Sequence, residues 1–136
     1  MLTFLANISF SQSSNDSTAI KNTALDYIEG WYTGEAERMK QAVHPKLAKR
    51  LVGKHPKNGK WMVSEQDASQ LIKYTKKGAG TRVPKNNRRK EVEILDIFQG
   101  AASVKIHAAS WVDYLHVAKW KGEWKIINVL WERNKK

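Results

Sequence analysis

The chain has 136 residues, a formal charge of +11 and no cysteine. That length fits one domain with a respectable core, and 41% hydrophobic residues with only three prolines exclude a mainly disordered chain. Disulfides and thiolate metal sites are excluded as well, while the charge favours phosphate, anionic membrane or acidic small molecules as partners without choosing among them.

The opening stretch, MLTFLANISFSQSSNDST, is a short apolar run followed by a polar cluster, and no Lys or Arg precedes Lys21. Over residues 1–15 it reads either as a truncated secretory signal lacking its basic region or as an ordinary disordered terminus. The first reading makes the protein periplasmic or secreted, the second cytoplasmic. The run is far too short to cross a bilayer, so no transmembrane segment is expected. Residues 16–136 are then a single domain.

Asp16 or Ser17 is placed to cap a helix whose apolar residues Ile20, Ala24, Tyr27, Ile28 and Trp31 recur at helical spacing, with Gly34 as its stop. A second helix, EAERMKQAV, begins with acids at its positive end and runs to His44-Pro45. Pro45 restricts His44 to an extended conformation and is placed to open a third helical piece, PKLAKRLV. After the loop GKHPKNGK, the run WMV suffices for a short strand. Ser64 with Asp67 then resembles the N-terminal cap of EQDASQLIKYTKK, and Gly78 ends that helix. Between Lys73 and Lys90 there is no acid, and glycines, Pro84 and NNRRK break any periodicity, so a mobile basic loop is expected.

The remainder reads as strands: EVEILDIF, a Gln99-Gly100 turn, AASVKIHAA, WVDYLHVAKW, a Lys121-Gly122 turn and EWKIINVLWE. Helices followed by a run of strands predict an α+β packing of helices on an antiparallel sheet. A two-residue Lys121-Gly122 turn sets Lys119 opposite Trp124, Val117 opposite Ile126, Leu115 opposite Asn128 and Asp113 opposite Leu130. Both faces of that hairpin are largely apolar. Helices cover one; a second subunit or a ligand is needed for the other, and a homodimer through the outer sheet face is the commonest solution.

The stretches YIEGWYTGEAERMKQAVHPKLAKR and WVDYLHVAKWKGEWKIINVLWE resemble the nuclear transport factor 2-like superfamily, and within it the putative lumazine-binding family beside polyketide-cyclase-like and ketosteroid-isomerase-like relatives. The resemblance spans roughly Asp16 to Glu132 and rests on packing motifs. It implies a cone-shaped fold, three N-terminal helices packed on a curved antiparallel sheet around one pocket. Chemistry is not implied, because the superfamily holds isomerases, cyclases and dehydratases alongside inert binding and scaffolding domains.

Five residues are candidates to line such a pocket. Tyr27 and Trp31, one helical turn apart, suit stacking on a flat ligand, although such a stripe is more often core. His44, of the side-chain type most often used for proton transfer, suits that role if it is not simply bonded to a helix end. Asp113, the one acid on its hairpin face together with Asn128, would have its pKa raised by burial and so suit acid or base work, unless it pairs with one of the many cations. His107 and His116 stand on different strands, which gives no metal site, and KKGAGTR lacks the spacing of a phosphate-binding loop.

The reading that follows is a non-catalytic domain binding a flat or anionic organic ligand through Tyr27, Trp31, His44, Asp113 and Asn128, with no cofactor or metal. Two alternatives stand beside it. One is an isomerase, cyclase or dehydratase using Asp113 and His44. The other is a basic module for nucleic acid or another polyanion centred on Lys73 to Lys90, less expected because no nucleic-acid-binding motif accompanies the charge.

Overall fold

The computed structural model describes residues 7–135. In chain order it has helices α1 (Asn7–Thr33) and α2 (Ala36–Ala42), strands β1 (Val43–Lys54) and β2 (Trp61–Asp67), helix α3 (Ala68–Lys76), two 3-10 turns (Ala79–Arg82 and Lys85–Asn87), and strands β3 (Glu91–Phe98), β4 (Ala101–His107), β5 (Trp111–Trp120) and β6 (Glu123–Arg133). The strands form one six-stranded sheet in the order β2-β1-β6-β5-β4-β3. Every neighbouring pair is antiparallel except β1 with β6, which is parallel. The architecture is therefore α+β with a mixed sheet, in place of the antiparallel one expected.

The apolar stripe of α1 lies against one face of this sheet. Ile20, Ala24, Tyr27, Ile28 and Tyr32 are buried together with Val104, Ile106, Leu115, Val117, Trp124, Ile126 and Val129. Gly34 ends α1 in the left-handed region at φ +75, where an L side chain is strained. Arg38 of α2 then reaches back to Asp26 and Glu29 of α1, at 2.8 and 2.6 Å. Its guanidinium fork holds the two helices as a corner.

Four local expectations are corrected. Asp16 does not cap α1, since the helix runs on through residues 7–15; its carboxylate instead accepts from the Trp124 indole at 3.1 Å and from Lys119 at 3.3 Å. Of the stretch read as a signal or disordered terminus, residues 1–6 lie outside the described residues, and α1 begins at Asn7. PKLAKRLV, expected as a third helical piece, is the middle of β1. Residues 48–52 of it pair with β2 on one side and residues 48–51 with β6 on the other, and tertiary pairing of this kind overrides a modest helix propensity. Helix α3 starts at Ala68, with Asp67 as its cap in a reciprocal capping box with Gln70; Ser64 lies within β2.

The fourth correction concerns the basic segment. Lys73 and Lys76 belong to α3, and the residues after Gly78 are held against the body. Arg88 donates to the carbonyls of Val83 and Thr81, at 2.9 and 3.2 Å. Gly80 packs on Trp31 so closely that a Cβ there would fall 2.1 Å from the Trp31 carbonyl oxygen. Glycine is what allows that approach.

The hairpin of β5 and β6 turns at Lys121 and Gly122, both at positive φ (50 and 82), as a tight two-residue turn requires. Lys119 opposite Trp124 and Val117 opposite Ile126 are found as expected. Ile127 is then an extra residue, so that Asn128 pairs with His116, Val129 with Leu115 and Trp131 with Asp113. A one-residue bulge moves every later side chain to the other face. Val129 and Trp131 thereby join the helix-covered side, while Asn128 and Leu130 join the open side. The pairing of Asn128 with Leu115, and of Leu130 with Asp113, is overturned by this bulge.

Candidate functional site

Asp113 has no solvent exposure at all. Its position in β5 makes it an inward residue, two residues from both Leu115 and Trp111 and so on their face of the strand. The β6 bulge brings Trp131 opposite it, and the parallel register of β1 brings Lys49 level with Val129 and Leu51 level with Trp131. From the helix layer Tyr27 descends between these strands. The residues of α1, β1, β5 and β6 thus meet at one buried point.

The contacts there form a chain. Lys49 Nζ donates to the Tyr27 hydroxyl at 2.6 Å, and that hydroxyl donates to Asp113 Oδ1 at 3.4 Å. Asp113 Oδ2 accepts from the Trp111 indole at 2.8 Å, and the direct separation of Lys49 Nζ from Oδ1 is 4.0 Å. The ammonium also lies 5.1 Å from the ring centroid of Tyr27, 5.8 Å from that of Trp31 and 5.5 Å from that of Trp131. A cation among aromatic faces recovers part of the hydration it loses on burial. The Lys49 side chain retains 11% exposure, and Trp31 and Trp131 are the partly buried walls beside it.

Burial pushes the Asp113 carboxyl up from the ordinary carboxylate range, against the pull of Lys49, Trp111 and Tyr27. Lys49 is pushed the opposite way: burial lowers its pKa, and the Asp113 charge offsets that only in part. The Tyr27 phenol is driven well above its usual value, first by burial and then by the adjacent carboxylate. Desolvation therefore acts on both ends of the chain towards the uncharged forms, a lysine amine and a carboxylic acid joined by a phenol. The Tyr27 oxygen accepts from Lys49 while its own hydrogen is directed at Asp113, which is the geometry of a proton relay between the two.

Tyr32 extends the cluster. Its ring lies 6.0 Å from that of Trp111, its hydroxyl donates to the Arg89 carbonyl at 2.6 Å and accepts from the Ala109 amide at 3.0 Å, and Arg88 sits 6.0 Å over its face. Through Arg88, and through Gly80 on Trp31, the basic segment borders the aromatic cluster. Lys90 meanwhile pairs with Glu29 at 2.9 Å and Arg89 with Glu91.

Of the candidates from the sequence, Tyr27, Trp31 and Asp113 are brought together. Asn128 is not: the bulge turns it to the open face, 3.4 Å from His116. His44 is also elsewhere, its ring edge-on to Trp120 at 4.9 Å and its Nδ1 accepting from the Lys46 amide at 3.0 Å. Trp120 and Asp113 bound a stretch of β5 seven steps long, roughly 23 Å at about 3.3 Å per residue. His44 and Asp113 therefore cannot serve one substrate atom. Lys49 was missed because its segment was read as helical; in a strand, the alternation Leu47, Lys49, Leu51 puts all three on one face.

The open face carries a different feature, a shallow cavity of about 220 Å³ lined by Phe98, Ala101, Ser103, His116 and Ala118 among others. No group of three or more His, Asp or Glu that could hold a metal occurs among the described residues. Nor is any helix among them long and apolar enough to cross a membrane.

The fold is shared with solved structures at low identity. A nuclear transport factor 2-like protein of unknown function from Shewanella baltica superposes with a TM-score of 0.65 at 15% identity, covering 90% of this chain and 97% of that one. A second, with a cystatin-like fold, from Novosphingobium aromaticivorans, gives 0.69 at 9% identity over 98% and 92% of the two chains. A third, from Methylobacillus flagellatus, gives 0.59 at 17% identity over 89% and 94%. Among curated proteins none matches. The family model described as "Putative lumazine-binding" matches residues 15–132, and with that span and this fold the chain belongs to the putative lumazine-binding family of nuclear transport factor 2-like domains.

Proposed function

We propose that residues 16–136 are a single domain binding a small, flat, anionic organic molecule, without turnover, at the Lys49 cluster. One observation carries this: a lysine ammonium buried against Tyr27, Trp31 and Trp131 with its counter-charge Asp113 behind it. A core built for stability alone gains little from a buried ion pair, because desolvation offsets the attraction. A ligand that slides between Trp31 and Trp131 would exchange ring contacts for ring contacts and present its anionic edge to Lys49. Arg88 and the basic segment beside it would steer such a ligand in.

The reading is tested with protein purified without denaturation. Native mass spectrometry is expected to find a bound organic anion, and flavin mononucleotide or a pterin carboxylate is expected to quench tryptophan fluorescence in the natural protein but not in Lys49→Met. Equal quenching in both proteins, with no bound molecule in the native spectrum, removes the proposal.

The acid–base alternative keeps only Asp113 working through Tyr27, since His44 lies at the other end of β5. For the polyanion alternative, Lys73, Lys76, Lys77, Arg82 and Lys85 offer an exposed basic surface, and retention on heparin that persists at moderate salt would favour it. Homodimerisation through the open sheet face is part of the proposal, supported by the exposure of Tyr114, Trp120 and Leu130 there. A periplasmic or secreted location remains the proposal drawn from the apolar N-terminal run.

A further inference from the structure

We propose that Lys49 is a nucleophilic amine that captures a carbonyl ligand reversibly as an imine, with the Tyr27 hydroxyl and Asp113 as the path for its proton. The proposal rests on the binding reading above and names the ligand class more narrowly: a flat aldehyde or activated ketone carrying an anionic group.

Three features of the geometry support it. The amine is in direct hydrogen-bond contact with a hydroxyl that itself reaches Asp113, at 2.6 and 3.4 Å, so a proton has a route from nitrogen to carboxylate without water. The site is largely closed, yet the Lys49 side chain keeps 11% exposure, with the partly buried Trp31 and Trp131 beside it. Asp113 is anchored on its other oxygen by the Trp111 indole at 2.8 Å, which fixes the acceptor. A lysine desolvated among apolar groups is a recognised source of an uncharged, nucleophilic amine, and Lys49 and Asp113 are each shifted by burial towards the neutral form.

The step balances in atoms and charge. Proton transfer from the Lys49 ammonium through Tyr27 leaves a neutral amine and protonated Asp113. The nitrogen lone pair attacks the carbonyl carbon as the C=O π pair moves to oxygen, the nitrogen gives up one proton to that oxygen, and the neutral carbinolamine results. Its hydroxyl leaves as water with the proton returned from Asp113, giving a protonated imine on Lys49 beside an ionised Asp113. The product ion pair restores the charge pattern of the resting site, and no oxidant or reductant is required.

The test uses the full chain with limiting pyridoxal 5′-phosphate, a flat anionic aldehyde, followed by borohydride reduction and peptide mass mapping. Label is expected on Lys49 in excess of that on exposed lysines such as Lys54 and Lys121. In Tyr27→Phe, which keeps the ring but removes the bridging oxygen, the rate of labelling at Lys49 is expected to fall about tenfold or more, the change that one unit of pKa difference makes in the neutral population. Near-ultraviolet circular dichroism checks that the tryptophan packing survives. Label spread over exposed lysines with Lys49 unmodified in the natural protein overturns the proposal, and so does an unchanged Lys49 rate in a folded Tyr27→Phe. Pyridoxine 5′-phosphate, the same shape without the aldehyde, separates the two readings: if it quenches tryptophan fluorescence while the aldehyde fails to label Lys49, binding stands and imine capture falls.

Discussion

The two faces of the β5–β6 hairpin are built from alternate residues of the same strands, and they behave as different materials. On the inner face Asp113, Leu115, Val117, Trp124, Ile126 and Val129 are buried, and the one carboxylate among them has both oxygens engaged. On the outer face Tyr114, Trp120 and Leu130 are about half exposed, and the polar residues His116 and Asn128 face solvent and each other. What separates them is whether a helix lies above. Under α1, every polar atom must find a partner within the protein; on the outer face water supplies partners, and apolar surface is the part left without a cover.

The largest effect that would break this contrast is on the inner pair. Lys49→Met leaves Asp113 buried without its cation and is expected to lower unfolding free energy by about 3–5 kcal/mol. The double variant Lys49→Met, Asp113→Asn is expected to regain much of that loss, because no uncompensated charge remains. Urea denaturation of both, with the Asp113→Asn single variant completing the cycle, measures the coupling. Losses that simply add would mean that the two groups do not act as a pair.

A smaller but still structural effect is expected at the border of the site. Gly80→Ala places a methyl group 2.1 Å from the Trp31 carbonyl oxygen, so the 3-10 turn must move, at about 1–3 kcal/mol by analogy with overpacked cores. Tryptophan emission is expected to shift with it. If stability and emission are both unchanged, the turn is not fixed against α1.

The two buried or bonded aspartates should titrate with opposite sign. Asp16 has its pKa lowered, first by the Trp124 indole bond and further by Lys119, with desolvation opposing them by less than the indole bond contributes. Its stabilisation is present above the unfolded value of about 3.9 and is lost as pH falls through the lower native value. Asp113 has a raised native pKa, so between about 3.9 and that value the native state holds a proton the unfolded state lacks, and stability falls as pH rises through the interval. Comparing unfolding free energy against pH for the natural protein, Asp16→Asn and Asp113→Asn should show each slope removed separately. A common sign for the two differences would refute the contrast.

The smallest effect on the folded chain belongs to the outer face. Leu130→Glu is expected to change unfolding stability of the monomer by no more than about 0.5 kcal/mol, yet to weaken self-association in sedimentation equilibrium. An effect on folding as large as that of Lys49→Met would show that the outer face is not an open surface.

Much of this was legible in the residues. The helical spacing from Ile20 to Trp31 marked the stripe that α1 buries, the Lys121-Gly122 dipeptide marked the turn, and an acid isolated among apolar neighbours marked Asp113. Two misreadings removed half of the site. PKLAKRLV has no strong strand character by itself, and so Lys49 escaped notice; the bulge at Ile127 has no local signature, and so Asn128 was assigned to the wrong face. Both errors are of one kind, since strand pairing and register depend on partners distant in sequence.

The sequence by itself determined the class of the elements other than β1, the single apolar stripe of α1, the tight turns and the excess of positive charge, all of which follow from periodicity, backbone preference and composition. Only the tertiary structure decided that β1 pairs parallel to β6, that the register shifts by one residue at Ile127, and hence that Lys49, Tyr27 and Asp113 meet. Those outcomes arise from long-range hydrogen bonding and from burying Val129 and Trp131 beneath α1, energies that no short window of residues contains.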